Sequence, residues 1–268
     1  IGLDDKTKRI MWGAYTGQYK TLSNVPIAVA AAMSSSVVPS LIASVARKNR
    51  KEVRSQIDMA IQFTMLIAMP CGMGLTILGA PVLKMLFPSL EGQDIASNLM
   101  YFSMLTIGTF SFSTITNSIL QGIDRMKVPI KNSAISLVIH LVLLPFVLIV
   151  LDWSIYGVIV CDCFFAFLVC ILNQKSIRKY TGYRLNIRKT MIQPLLAATI
   201  LGLAVFLCYE GLMAVFAHNT IVTLFSVLIG VIVYVITILK LKIITEENLR
   251  TIPKGTLLIK AAKKFHFL

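Results

Sequence analysis

Long uncharged, apolar stretches alternate with short clusters of charge along the whole chain. The uncharged runs are Thr21–Ala46, Met59–Leu83, Ile95–Ile123, Asn132–Leu151, Thr190–Tyr209 and Gly211–Leu239; Trp153–Gln174 is interrupted by Asp162 alone. Each holds about 20 residues or more, enough to cross a hydrocarbon core of roughly 30 Å at about 1.5 Å per residue. None shows the period-two alternation of a barrel strand. A helix satisfies its own backbone hydrogen bonds in lipid, which an open strand does not. The pattern predicts an all-α integral membrane protein with seven transmembrane helices, spans A to G in chain order.

Residues 1–20 read as an external loop and helix start, opening with the charged segment IGLDDKTKR. Five spans fill 21–174, a basic loop follows at 175–189, and two further spans fill 190–240. In the tail, 241–268, Leu258, Ala261, Ala262 and Phe265 recur at helical spacing, with Lys260, Lys263 and Lys264 off that stripe. This predicts an amphipathic helix lying in the membrane interface. The first residue is Ile, and the opening lacks the pattern of a signal peptide. The chain is expected to be the C-terminal part of a longer membrane protein.

Composition agrees: 56% of residues are hydrophobic and 14% charged, against about 25% charged in soluble domains. The net charge of +14 raises the question of nucleic acid, which the distribution of the cations answers. The loops after spans A, C and E and the tail after G hold 21 of the 26 Lys and Arg residues, and the other side holds five. That alternation is the positive-inside pattern, which puts the cation-rich side and the C-terminus in the cytoplasm. A nucleic-acid binder gathers its cations on one folded face, so no nucleic-acid partner is expected. The burst Arg47–Arg54 is explained as a topology signal in contact with anionic lipid.

Spans A and C are more polar than membrane anchors need to be. Span A carries Asn24 and the run Ser34, Ser35, Ser36; span C carries Asn117, Gln121 and many Ser and Thr. Hydroxyls let helices approach closely and bond across the contact, or they line a wet cavity. Asn24, Asn117 and Gln121 are candidates for a cavity or a helix end, because an amide facing lipid is costly. Prolines 26, 39 and 70 are expected to bend their helices. Three ionisable groups lie in or near the spans: Lys20, His140 and Asp162. A carboxylate at the depth of Asp162 faces protein or water, or is protonated, as a structural group or as one that couples to an ion. Lys20 either snorkels to the outer interface or meets an anionic substrate. The five cysteines lie inside apolar runs and read as core filling. No nucleophile–base pair, HExxH, phosphate loop or dinucleotide fingerprint occurs, so neither catalysis, a metal nor a cofactor is expected.

Four segments carry a family resemblance. GQYKTLSNVPIAVAAAMSSSVVPSL (Gly17–Leu41), followed by a basic loop, resembles the eighth helix of the oligosaccharidyl-lipid flippases. GAPVLKMLFP (Gly79–Pro88), LQGIDRMKVPIKN (Leu120–Asn132) and RKYTGYRLNIRKTMIQPLLAA (Arg178–Ala198) are similar to later segments in the same order. These flippases belong to the multidrug/oligosaccharidyl-lipid/polysaccharide exporter superfamily, and the chain is most similar to its stage V sporulation protein B and lipid II flippase branch. The resemblance implies fourteen helices in two six-helix lobes plus an extra pair. This chain then supplies helices eight to fourteen: the second lobe without its first helix, and the extra pair. It also implies a lipid-linked sugar as substrate, the missing N-terminal lobe and the bilayer as partners, and a cavity cation for the substrate's diphosphate, for which Lys20 is the candidate. Asn24, Ser34, Ser35, Ser36, Asn117 and Gln121 would line the cavity, with Asp162 for ion coupling. A drug antiporter of the same superfamily and a membrane scaffold without transport remain alternatives.

Overall fold

The computed structural model describes residues 4–216 and 218–241. Its first element, α1, is a helix of 42 residues, Asp5–Ala46, about 63 Å long. The opening expected as a loop is therefore helical from Asp5. Its charges lie on the exposed side, Lys8 pairing with Asp5 at 3.0 Å, while Ile10 and Met11 are partly covered. A charge-rich segment reads as loop when only its polar face is counted. A π-helical stretch, Ala14–Tyr19, lies inside α1. A π turn shifts the register of everything before it.

Helix α2, Arg50–Leu86, starts inside the basic burst. Asn49 caps it, accepting from the Glu52 N–H at 3.2 Å. Span C is two elements, α3 (Gln93–Met100) and α4 (Ser103–Gly122), meeting at 62°. No proline stands at this break. The Met104 N–H that the break frees donates to Thr76 Oγ1 of α2 at 3.0 Å. Helices α5 (Lys127–Val150), α6 (Ser154–Thr181), α7 (Arg188–Met213) and α8 (Asn219–Lys240) complete the described chain. The last turn between helices falls after Met213, so Glu210, expected to divide spans F and G, lies inside α7. Among the described residues, six helices are long and apolar enough to cross a membrane, or seven spans when α3 and α4 count as one. The expected amphipathic tail lies outside the described residues.

Helix α4 sits centrally, packed on α1, α2 and α6. Helix α5 packs on α6; α7 and α8 pack on each other and on α2. The burial pattern is that of a membrane protein. On α5 the buried positions are Pro129, Asn132, Ser136 and, near its end, Val147, while Val138, Leu141 and Val142 are exposed. Small and polar groups of this kind let spans approach closely, and elsewhere they pack beside larger apolar side chains such as Ile57, Ile61 and Met65 of α2 and Ile115 of α4. Four of the hydroxyls of α4, on Thr109, Thr114, Thr116 and Ser118, donate back to carbonyls of their own helix, which satisfies them without water.

Candidate functional site: an ionisable cluster at a cavity beside α1

The three ionisable groups noted in the spans come together at one point. Asp162 lies about 12 Å along α6 from its start. Its Oδ2 accepts a very short hydrogen bond from the Tyr15 hydroxyl and lies 3.4 Å from the Lys20 ammonium. Its Oδ1 is 3.8 Å from His140 Nε2 of α5. His140 Nδ1 is 3.1 Å from the Cys161 carbonyl, which only accepts, so the Nδ1 proton sits there. The Lys20 ammonium also lies 4.8 Å from the centre of the Tyr15 ring, a cation–π contact.

Each partner is fixed by its element. The π turn brings Tyr15 and Tyr19 to the buried side of α1, each 1% exposed, with rings stacked at 5.9 Å. The Tyr19 hydroxyl meets Thr106 Oγ1 of α4 at 2.7 Å, and that oxygen meets Cys163 Sγ of α6 at 3.2 Å. Gln18 ties the same turn to the α2–α3 loop, donating to the Glu91 carbonyl at 3.0 Å. Three helices thus hold the floor beneath Asp162. The Lys20 side chain stays 46% exposed, against 22% for Asp162.

A cavity of about 140 Å³ opens beside this cluster, lined by Lys20, Asn24, Asp162 and Thr106 among others. Leu22 and Val25, on the same turns of α1, line a separate apolar groove of about 550 Å³ between α1, α2, α7 and α8. A cation, a carboxylate, an amide and an apolar groove therefore lie within two turns of one helix.

A family model described as lipid II flippase MurJ matches residues 14–230. The chain belongs to the lipid II flippase MurJ family. The matched interval contains every member of the cluster. A lipid II flippase MurJ of Bacillus subtilis (strain 168) is 26% identical over 186 residues, covering 68% of this chain and 33% of that protein. A probable lipid II flippase MurJ of Bdellovibrio bacteriovorus is 21% identical over 201 residues, covering 72% of this chain and 37% of that protein. The chain thus spans about a third of the length of the curated relatives it matches. No solved structure matches significantly.

The other expected cavity residues lie elsewhere. Asn117 is half-buried, and its Oδ1 accepts from Asn173 Nδ2 at 2.7 Å. Asn173 also donates to Thr116 and accepts from Asn132, so Asn117 belongs to an amide network joining α4, α5 and α6. Gln121 is exposed near the end of α4. Ser35 and Ser36 are exposed on α1 and donate to the Ala31 and Met33 carbonyls of their own helix, about two to three turns beyond the cavity. Ser34 is in α1, and its side chain lies outside the described residues. Tyr15 and Tyr19 stand outside the candidates drawn from the sequence; their i, i+4 spacing just before Lys20 is the signal for them, and it counts only once the opening is helical.

Proposed function

We propose that this chain is part of a transporter that flips lipid-linked oligosaccharide or peptidoglycan precursors, lipid II first among them, across the cytoplasmic membrane by alternating access. The observation that carries the reading is the Lys20–Asp162 pair at the mouth of a cavity in a chain of this family. An ammonium held by one carboxylate and half open to solvent is a gated cation. A diphosphate competes with Asp162 for it. The anion draws Lys20 away from Asp162 when it binds, and Asp162 takes Lys20 back when the cargo leaves, so the 3.4 Å pair is the resting state of the site. Asn24 offers donors and an acceptor to sugar hydroxyls, and the neighbouring apolar groove gives the hydrocarbon tail a surface to follow.

The rest of the transporter, an N-terminal lobe, covers the open face of α1, where Val25, Val29 and Ile42 are exposed. The two lobes rock about the cavity between them. The cation-rich turns and the C-terminus lie in the cytoplasm. For a cargo with two negative charges, an inside-negative potential of about 100 mV then favours outward movement by about 4.6 kcal/mol. The transporter works by binding and movement, without a covalent step.

Translocation of lipid II into vesicles by the complete transporter tests this. Lys20→Gln is expected to slow transport at least about tenfold, the value of one charge-assisted contact, while Lys20→Arg retains most of it. Asp162→Asn, which removes the counter-charge that Lys20 returns to, is expected to slow release and so lower the rate. Wild-type rates in both Lys20→Gln and Asp162→Asn would end the proposal.

A further inference from the structure

At the far end of α1, about 42 Å from Lys20, three connections converge. The turn between α1 and α2 brings Lys48 and Arg50, the turn between α4 and α5 brings Arg125, and the end of α6 brings Tyr180. Together they enclose a cavity of about 400 Å³ with Val53 and Ile123 among its walls. That volume is in the range of sites for small molecules, about 300 Å³ and upward.

The positive-inside pattern accounts for cations at this end of the bundle. It does not account for their convergence on one cavity without counter-charge. Among the described residues, no carboxylate lines the cavity. Among the described residues, none of Lys48, Arg50 and Arg125 lies within ion-pair distance of an acidic group, whereas neighbouring Arg47 is paired with Glu52 at 2.5 Å. The Arg125 guanidinium lies over the Tyr180 ring, 4.8 Å from its centre, a cation–π contact that holds it at the cavity wall. Lys48 and Asp124 hold left-handed backbone geometry, φ 56° and 59°, so both turns are tight and close on the cavity. The carbonyl end of α6 would repel an anion. Its last carbonyl, on Thr181, instead accepts from Arg54 Nε at 2.9 Å. The N-terminus of α2, with its positive dipole end, starts at Arg50. The cavity has apolar walls below and donors above, the polarity of a phosphate joined to an apolar or neutral body.

We propose that this pocket binds a phosphate-bearing anion, as a site separate from Lys20. The ligand is either the phosphate of a membrane lipid headgroup or a free phosphate or diphosphate. Arg125 supplies planar donors, and Lys48 and Arg50 supply charge from the facing turn. The assignment does not depend on the transport reading, because its readout is binding.

The test uses the whole protein in nanodiscs of neutral lipid. Phosphatidylglycerol is titrated in and its bound copies counted by native mass spectrometry; inorganic pyrophosphate is titrated separately by calorimetry. The pocket variant Lys48→Gln/Arg125→Gln is compared with Arg188→Gln/Lys189→Gln, which removes the same charge from the same end outside the cavity. The pocket variant is expected to lose at least about tenfold in affinity and the control less than about twofold, as for screened surface charge. Selective loss of phosphatidylglycerol identifies a lipid headgroup as the ligand; selective loss of pyrophosphate identifies a soluble one. Equal losses in the two variants, or no binding of either probe by the wild type, overturn the site.

Discussion

Asp162 has three polar partners on two other helices, and no one of them is near it in sequence. Tyr15 lies 147 residues away. Taken singly, Asp162, His140 and Lys20 are each ambiguous between structure and chemistry; the structure puts the Lys20 and His140 nitrogens within 4 Å of the Asp162 carboxylate, so the three form one polar cluster. Elsewhere the same chemistry is structural. Tyr183, just outside the membrane, donates to Asp58 at 2.7 Å, and burial first, then the Asp58 carboxylate, raises its phenol above its usual range. A raised phenol pKa means the folded state holds its proton longer than the unfolded chain. The contribution is therefore complete below about pH 10, the unfolded value, and is lost as pH rises through the higher folded value. Tyr183→Phe is expected to lower stability by about 1–2 kcal/mol at neutral pH, leaving Asp58 without its donor. Part of the alkaline loss should go with it. Thermal melts of the detergent-solubilised protein between neutral pH and pH 11 check both statements, and an identical melt across that range in the variant and wild type would contradict them.

At the scale of elements, hydropathy located each candidate span among the described residues but not its ends or its breaks. Prolines were expected to mark the bends, yet the sharp break, at 62°, falls between Met100 and Ser103. A proline leaves a helix with one missing donor; the Met100–Ser103 break is set instead by what α3 and α4 pack against. Gly79 of α2 shows why the position is strict. A Cβ there would collide with the Met100 side chain at the end of α3, whereas one on Gly74 would meet nothing within 4 Å. Gly79→Val should cost about 1–3 kcal/mol from overpacking, and Gly74→Ala should be neutral or stabilising by up to about 1 kcal/mol. Melting temperatures of the two variants side by side decide this, and a Gly79→Val protein as stable as wild type would show that α3 is free to move away. The π turn of α1 is the other local device that hydropathy cannot register, since it changes which way side chains point without changing how apolar the segment is.

For the molecule as a whole, the connections rich in cations meet at one end: Arg50, Arg125 and Tyr180 line one cavity there. Single cysteines introduced into a cysteine-free background as Arg50→Cys and Lys179→Cys are expected to resist a membrane-impermeant maleimide added to intact cells. Lys84→Cys and Glu91→Cys are expected to react. Labelling of Arg50→Cys from outside would reverse the proposed orientation and with it the direction of transport. The sequence by itself determined the class of the molecule, because the cost of placing a residue in lipid is summed along the segment and needs no knowledge of neighbours. It also showed the family, because matching segments in order survive as a pattern along the chain. Only the tertiary structure decided which polar groups meet. Whether Lys20 faces Asp162, and whether Asn117 faces a cavity or Asn173, depends on the rotation and register of separate helices. Those are set by the π turn of α1, by close glycine contacts and by the packing of α4 against its neighbours, none of which leaves a signature in hydropathy.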